Sequence, residues 1–112
     1  MLEKRKFYID GKWVSPSKPN DLEVINPSTE EAFATISLGS KEDTNSAVSA
    51  AKKALVNWSE SSKEERINLL EKLLDIYKKR YSEMTEAISM EMGAPMDWSN
   101  DAQTSSGQSH LE

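Results

Sequence analysis

The chain has 112 residues, enough for one domain at most, and its hydrophobic fraction of 37% is low for a self-sufficient globular unit. A net charge of −5 argues against nucleic acid, which rewards basic surfaces, and no basic stripe is present to hold an anionic membrane. With no cysteine there is neither a disulfide framework nor a thiolate metal site, and no apolar run is long enough to span a bilayer. Met1–Lys6 carries basic residues with no apolar region after them, unlike a signal peptide. The expectation is a soluble, acidic, cytoplasmic protein.

The first element is a hairpin. Phe7-Tyr8-Ile9 and Lys12-Trp13-Val14 flank Asp10-Gly11, and glycine tolerates the positive φ of a primed turn. Ser15–Asp21 contains Pro16 and Pro19 among small polar residues and reads as a loop. Leu22–Ile25 is a short strand. Pro27 ends it by removing a backbone donor and pushes Asn26 toward extended geometry. Ala32–Leu38 is the next strand, with Ala34, Ile36 and Leu38 on one face and Phe33 on the other, so both faces are partly covered.

Helices begin at Ser40. Ser40-Lys41-Glu42-Asp43 is an N-terminal cap with acids in the first turn, where the helix dipole is positive. Val48, Ala51, Leu55 and Trp58 then share one face, and Ala47, Ala50, Ala51 and Ala54 suit close packing against another element. A second helix starts at the capping box Ser62-Lys63-Glu64-Glu65. Ile67, Leu70, Leu74, Tyr77, Tyr81, Met84, Ile88 and Met92 step by three or four, so one helix is expected over 63–92. Gly93 suits a left-handed cap and Pro95 blocks continuation. Asp97–His110 holds one large apolar residue, Trp98, among Ser, Asn, Gln, Thr and Gly, and taken alone reads as loop or frayed tail.

Four stretches carry a resemblance in their order and spacing: the hairpin YIDGKW, the turn VINPSTEE, the capped helix KEDTNSAVSAAKKA, and the long helix ending EMGAP. Each is a common local device, but together they resemble the amino-terminal segment of the NAD(P)-dependent aldehyde dehydrogenase superfamily, over about Phe7 to Glu112. The resemblance implies an α/β, aldehyde dehydrogenase-like fold. Residues 1–112 would form a single partial domain, the N-terminal part of the cofactor-binding domain, with strands over about 6–38 and helices over about 41–58, 63–92 and 96–112. The last helix would be cut by the end of the chain.

The resemblance also implies a function. Whole members of the family oxidise an aldehyde to a carboxylic acid. A cysteine attacks the aldehyde carbon, the resulting thiohemiacetal gives hydride to NAD or NADP, and a glutamate activates water to release the acid. Those groups lie beyond the matching region. This chain has no cysteine and no G-x-G-x-x-G, so it is expected to carry no catalytic and no cofactor-binding residue and to be inactive alone. The complete enzyme would bind an aldehyde and a nicotinamide cofactor, and form a homo-dimer or tetramer. One family site reaches this segment, a structural monovalent cation. Its ligands would be the backbone carbonyls of Val24 and Ile25 and a side chain at the position of Gln103. The family pattern has a carboxylate there. A neutral amide oxygen still suits a hard cation but binds it more weakly. Base rates favour the plainer reading of Gln103 as a helix-surface amide, and Asp101 lies near but out of register.

Other candidates have ordinary readings. Glu30 and Glu31 sit beside a turn and read as solvated. Glu60 and Lys63–Arg66 form a charged helix start, where exposed pairs are worth ~0.3–0.5 kcal/mol. His110, the one histidine, has no acid or nucleophile near it in sequence. Met84, Met90, Met92 and Met96 could mimic a thioether metal cluster, but their helical spacing reads as packing. Trp13, Trp58 and Trp98 read as packing anchors. An alternative function is a non-catalytic helical binding or oligomerisation module, using the Ile67–Met92 stripe as its partner face.

Overall fold

The computed structural model describes residues 1–112. Its elements are β1 (Leu2–Lys4), β2 (Phe7–Ile9), β3 (Lys12–Val14), β4 (Asp21–Asn26), β5 (Glu31–Ser37), α1 (Lys41–Trp58), α2 (Lys63–Lys79), α3 (Tyr81–Met92), α4 (Met96–Trp98), a π-helical segment Ser99–Thr104, and α5 (Ser105–Leu111). The chain divides into two compact units, Met1–Ile25 with Glu31–Glu60, and Asn26–Glu30 with Ser61–Glu112. The fold is mixed α/β, as the sequence leads one to expect.

In the first unit the hairpin turns at Asp10 (φ 53°) and Gly11 (φ 74°), the paired positive angles of a type I′ turn. β2 and β3 pair antiparallel, with Tyr8 opposite Trp13. Their rings meet edge to face at 5.3 Å. β5 is the central strand of a three-stranded sheet ordered β1-β5-β4. β1 is a finding beyond the sequence reading: it runs parallel to β5, with Leu2 opposite Ala34 and Lys4 opposite Ile36. As the central strand, β5 buries Ala34 on one face and Thr35 and Ser37 on the other. Leu38 falls outside the strand and is exposed, which corrects its expected place on the covered face.

α1 starts at a reciprocal capping box between Ser40 and Asp43. The hairpin residues Tyr8–Gly11 and the α1 residues Ala47, Ala50, Ala51 and Ala54 line a common groove, so the small side chains lie toward the hairpin. The larger stripe is about half exposed: Val48 is 48% exposed, Leu55 57% and Trp58 46%.

In the second unit α2 opens with a capping box in which the Ser62 amide donates to Glu65 Oε2 at 2.7 Å and the Glu65 amide to Ser62 Oγ at 3.1 Å. The single helix expected over 63–92 is in fact two. Arg80 leaves helical geometry (φ −106°, ψ 17°), and its amide is shared between the carbonyls of Ile76 and Tyr77. Neither proline nor glycine marks this break, and the apolar stripe runs through it unchanged. The Arg80 guanidinium then reaches Glu83 at 2.8 Å in the first turn of α3. α3 ends at Gly93 in the left-handed region (φ 70°). Pro27, on the turn Asn26–Glu30 of the same unit, packs so close that a Cβ on Gly93 would lie 3.2 Å from its Cβ. Residues 96–111, loop-like by composition, are helical with a π-helical middle.

Ala34 is the one buried apolar residue. The chain exposes 8606 Å², whereas a compact monomer of its 12.6 kDa exposes roughly 6,200 Å². Ile67, Leu70, Leu73 and Ile76 of α2 contribute to the difference. No helix is long and apolar enough to cross a membrane.

Candidate functional site

The oxygen set expected to hold a cation is divided between the units. Val24 and Ile25 are neighbours in β4 of the first unit, Val24 half-buried and Ile25 exposed. β4 is an edge strand, so alternate carbonyls along it have no ladder partner. Gln103 stands half-buried in the π-helical segment of the second unit. Asp101 is exposed there and accepts the Asn100 side-chain amide at 2.7 Å. The chemistry of the donor set, two carbonyls and one neutral amide oxygen, fits a monovalent ion better than a divalent one. No group of three or more His, Asp or Glu side chains is placed to hold a metal.

A second polar centre belongs to Asp43, which the sequence marks only as a helix-start acid. It is buried. Its carboxylate accepts the Ser40 amide (2.9 Å), the Ser40 hydroxyl (2.8 Å) and the Ser17 amide (2.9 Å). The backbone amide of Ser40, then that of Ser17, hold its carboxyl below the ordinary value of 3.8. Asp43 thus ties the loop after β3 to the start of α1. Beside it an open groove of about 680 Å³ runs along the hairpin and α1, with Asp10, Lys12, Ser46 and Lys53 on its walls.

A third centre lies in the second unit and was missed from sequence, where Tyr77 and Tyr81 count as members of an apolar stripe. Thr85, Ser99 and Thr104 are buried together with their hydroxyls. Thr85 Oγ1 donates to the Tyr81 carbonyl at 3.0 Å and Thr104 Oγ1 to the Ser99 carbonyl at 2.9 Å, while the two hydroxyl oxygens lie 2.9 Å apart. Two hydrogens therefore serve three contacts. Ser99 Oγ is buried without a partner. The sequence signal was the run of hydroxyl residues at 99, 104 and 105, which composition alone cannot separate from a loop.

None of these centres joins a nucleophile to a base. His110 Nδ1 is 2.6 Å from the Ser106 carbonyl on an exposed turn. Met84, Met90, Met92 and Met96 are exposed, and Glu30 and Glu31 are exposed beside their turn.

The model of the aldehyde dehydrogenase family matches residues 13–111. A 3-succinoylsemialdehyde-pyridine dehydrogenase from a Pseudomonas species is 45% identical over 86% of this chain, a stretch that makes up 20% of that protein. An aldehyde dehydrogenase from Bartonella henselae, known from its crystal structure, superimposes with a TM-score of 0.98 at 58% identity, over 99% of this chain and 23% of that one. A mutant of aldehyde dehydrogenase C from Pseudomonas syringae, solved with NAD+ and octanal, gives a TM-score of 0.93 at 37% identity, over 96% of this chain and 22% of that one. The chain thus spans about one fifth of the length of the relatives it matches.

Proposed function

Since the chain belongs to the aldehyde dehydrogenase family, we propose that residues 1–112 act as the N-terminal part of the cofactor-binding domain of an NAD(P)-dependent aldehyde dehydrogenase. The observation that carries this is a match to family members along nearly the whole chain, with a TM-score of 0.98 at 58% identity. The complete enzyme would oxidise an aldehyde to a carboxylic acid. The cysteine that forms the thiohemiacetal, and the glutamate that activates water, would come from outside these residues, since this chain has no cysteine. The nicotinamide, when bound, supplies the hydride acceptor.

In this reading the chain's residues are a scaffold. The exposed apolar side chains at Val48 and Leu55, and at Ile67, Leu70 and Ile76, are faces for the remainder of the enzyme. The Val24 and Ile25 carbonyls and the Gln103 amide oxygen would hold a structural monovalent cation, weakly for want of a carboxylate. We place the whole enzyme in the cytoplasm as a homo-dimer or tetramer. The test is the reading frame beyond the Glu112 codon. Continuation into a cofactor fold with a cysteine and a glutamate is the expected result. A stop codon there would leave the other reading, a helical binding or oligomerisation module.

A further inference from the structure

Met96–Leu111 follows one helical path whose middle, Ser99–Thr104, has widened into π-helix. Trp98, Ser99, Thr104 and Ser105 all keep right-handed helical angles, so neither junction is a break. A π turn holds an extra residue and deprives carbonyls of the amide four positions on. Side-chain hydroxyls give carbonyls of this segment additional donors. Tyr81 donates to the Asn100 carbonyl at 2.5 Å, Tyr77 to the Thr104 carbonyl at 2.9 Å, and Ser105 to the Asp101 carbonyl at 2.6 Å. Thr104 Oγ1 donates to the Ser99 carbonyl and lies 2.9 Å from Thr85 Oγ1. Tyr77, Tyr81 and Thr85 are spaced by four residues, so the groups that reach the segment from outside come from one side of the α2–α3 path.

Gly107 completes the arrangement. A Cβ there would run into the Tyr77 hydroxyl and stand 2.9 Å from its Cζ. Glycine is a poor residue for a helix interior, but at this position it leaves room for the Tyr77 ring whose hydroxyl reaches Thr104.

We infer that Tyr77, Tyr81 and Thr85 are positioning residues that select the π register of Ser99–Thr104 and so set the face that α5 presents to α2. One inserted residue turns everything after it by about 100° around the helix axis. With the insertion, Gly107 lies under Tyr77, and Leu111 lines a groove with Ile67, Leu70 and Leu74. In a plain α register Ser106 would stand where Gly107 does, and its Cβ would meet the tyrosine.

The test uses the full chain, with Leu55→Lys and Ile76→Lys in every sample to limit self-association, and compares it with Tyr77→Phe, Tyr81→Phe and Thr85→Val combined, and the same variant with Ala102 deleted. Nuclear magnetic resonance reads the i to i+5 contacts across 99–104 and the amide-exchange protection of 105–111. The unaltered chain should show the i to i+5 pattern. The triple variant should lose it, with protection of 105–111 falling at least about tenfold. Deleting Ala102 removes the extra residue, returns Gly107 to its place in an α register, and should restore protection to within about twofold. General loss of packing would not be repaired by a deletion. The inference is overturned if the unaltered chain lacks the pattern, if the triple variant keeps it, or if the deletion fails to restore protection, including where the triple variant is unfolded.

Discussion

The Asp43 carboxylate accepts the backbone amide of Ser17, 26 residues earlier, at 2.9 Å while it also accepts the amide and hydroxyl of Ser40. One side chain thereby caps a helix and fastens the loop that follows the hairpin. Its carboxyl is held below its ordinary value of 3.8, first by the Ser40 amide and then by the Ser17 amide. A lowered folded-state value means that the stabilisation is fully present above the unfolded-state value and is lost as pH falls through the folded one. Titration of the Asp43 side-chain carbon should show a midpoint below 3.8, with loosening of the Ser17 and Ser40 amides over the same range. Asp43→Ala should loosen both amides already at neutral pH.

Gly93 and Gly11 both have positive φ, but their surroundings differ. A Cβ on Gly11 meets nothing within 4 Å, whereas one on Gly93 lies 3.2 and 3.3 Å from Pro27 carbons. Gly11→Ala should cost only the left-handed penalty of roughly 1–2 kcal/mol. Gly93→Ala should cost more, and Pro27→Ala should return part of the excess. Local amide-exchange free energies at the hairpin and at the α3 end measure the order.

Ser62 and Ser99 predict opposite results for the same substitution. Ser62→Ala removes the α2 capping box and should cost about 1 kcal/mol, read as faster exchange in the first turn of α2. Ser99 Oγ is buried without a partner. Ser99→Ala should leave exchange in 99–104 unchanged or slower, because an unsatisfied buried hydroxyl is removed.

The uncovered stripes predict the behaviour of the chain alone. With Ala34 as its one buried apolar residue, it should self-associate and bind a hydrophobic dye. Leu55→Lys together with Ile76→Lys should reduce both, measured by light scattering and dye fluorescence. A monomer that unfolds in one cooperative step would favour the module reading.

Local chemistry made most elements readable. Asp10-Gly11 dictates a primed turn, Ser62 with Glu65 and Ser40 with nearby acids mark helix starts, and Gly93 with Pro95 marks a stop; the structure has each of them. What stayed hidden depends on partners distant in sequence. β1 exists because β5 offers it a parallel edge. The break at Arg80 interrupts an unbroken stripe of apolar residues. In the hydroxyl-rich helical segment 99–104, two carbonyls accept hydroxyls from Tyr77 and Tyr81, on other elements, which the local sequence does not show. The family resemblance was legible in four local motifs, whereas the cation set Val24, Ile25 and Gln103 came from the resemblance alone.

The most direct test of the scaffold role is a graft. Residues 1–112 would replace the matching segment of the Bartonella henselae aldehyde dehydrogenase, to which they are 58% identical. NAD(P)-dependent oxidation of simple aldehydes would then be followed for the graft, the parent enzyme and the isolated chain. The account predicts a soluble graft with activity near the parent's, and none from the isolated chain. A graft that folds without activity, or fails to assemble, would contradict it.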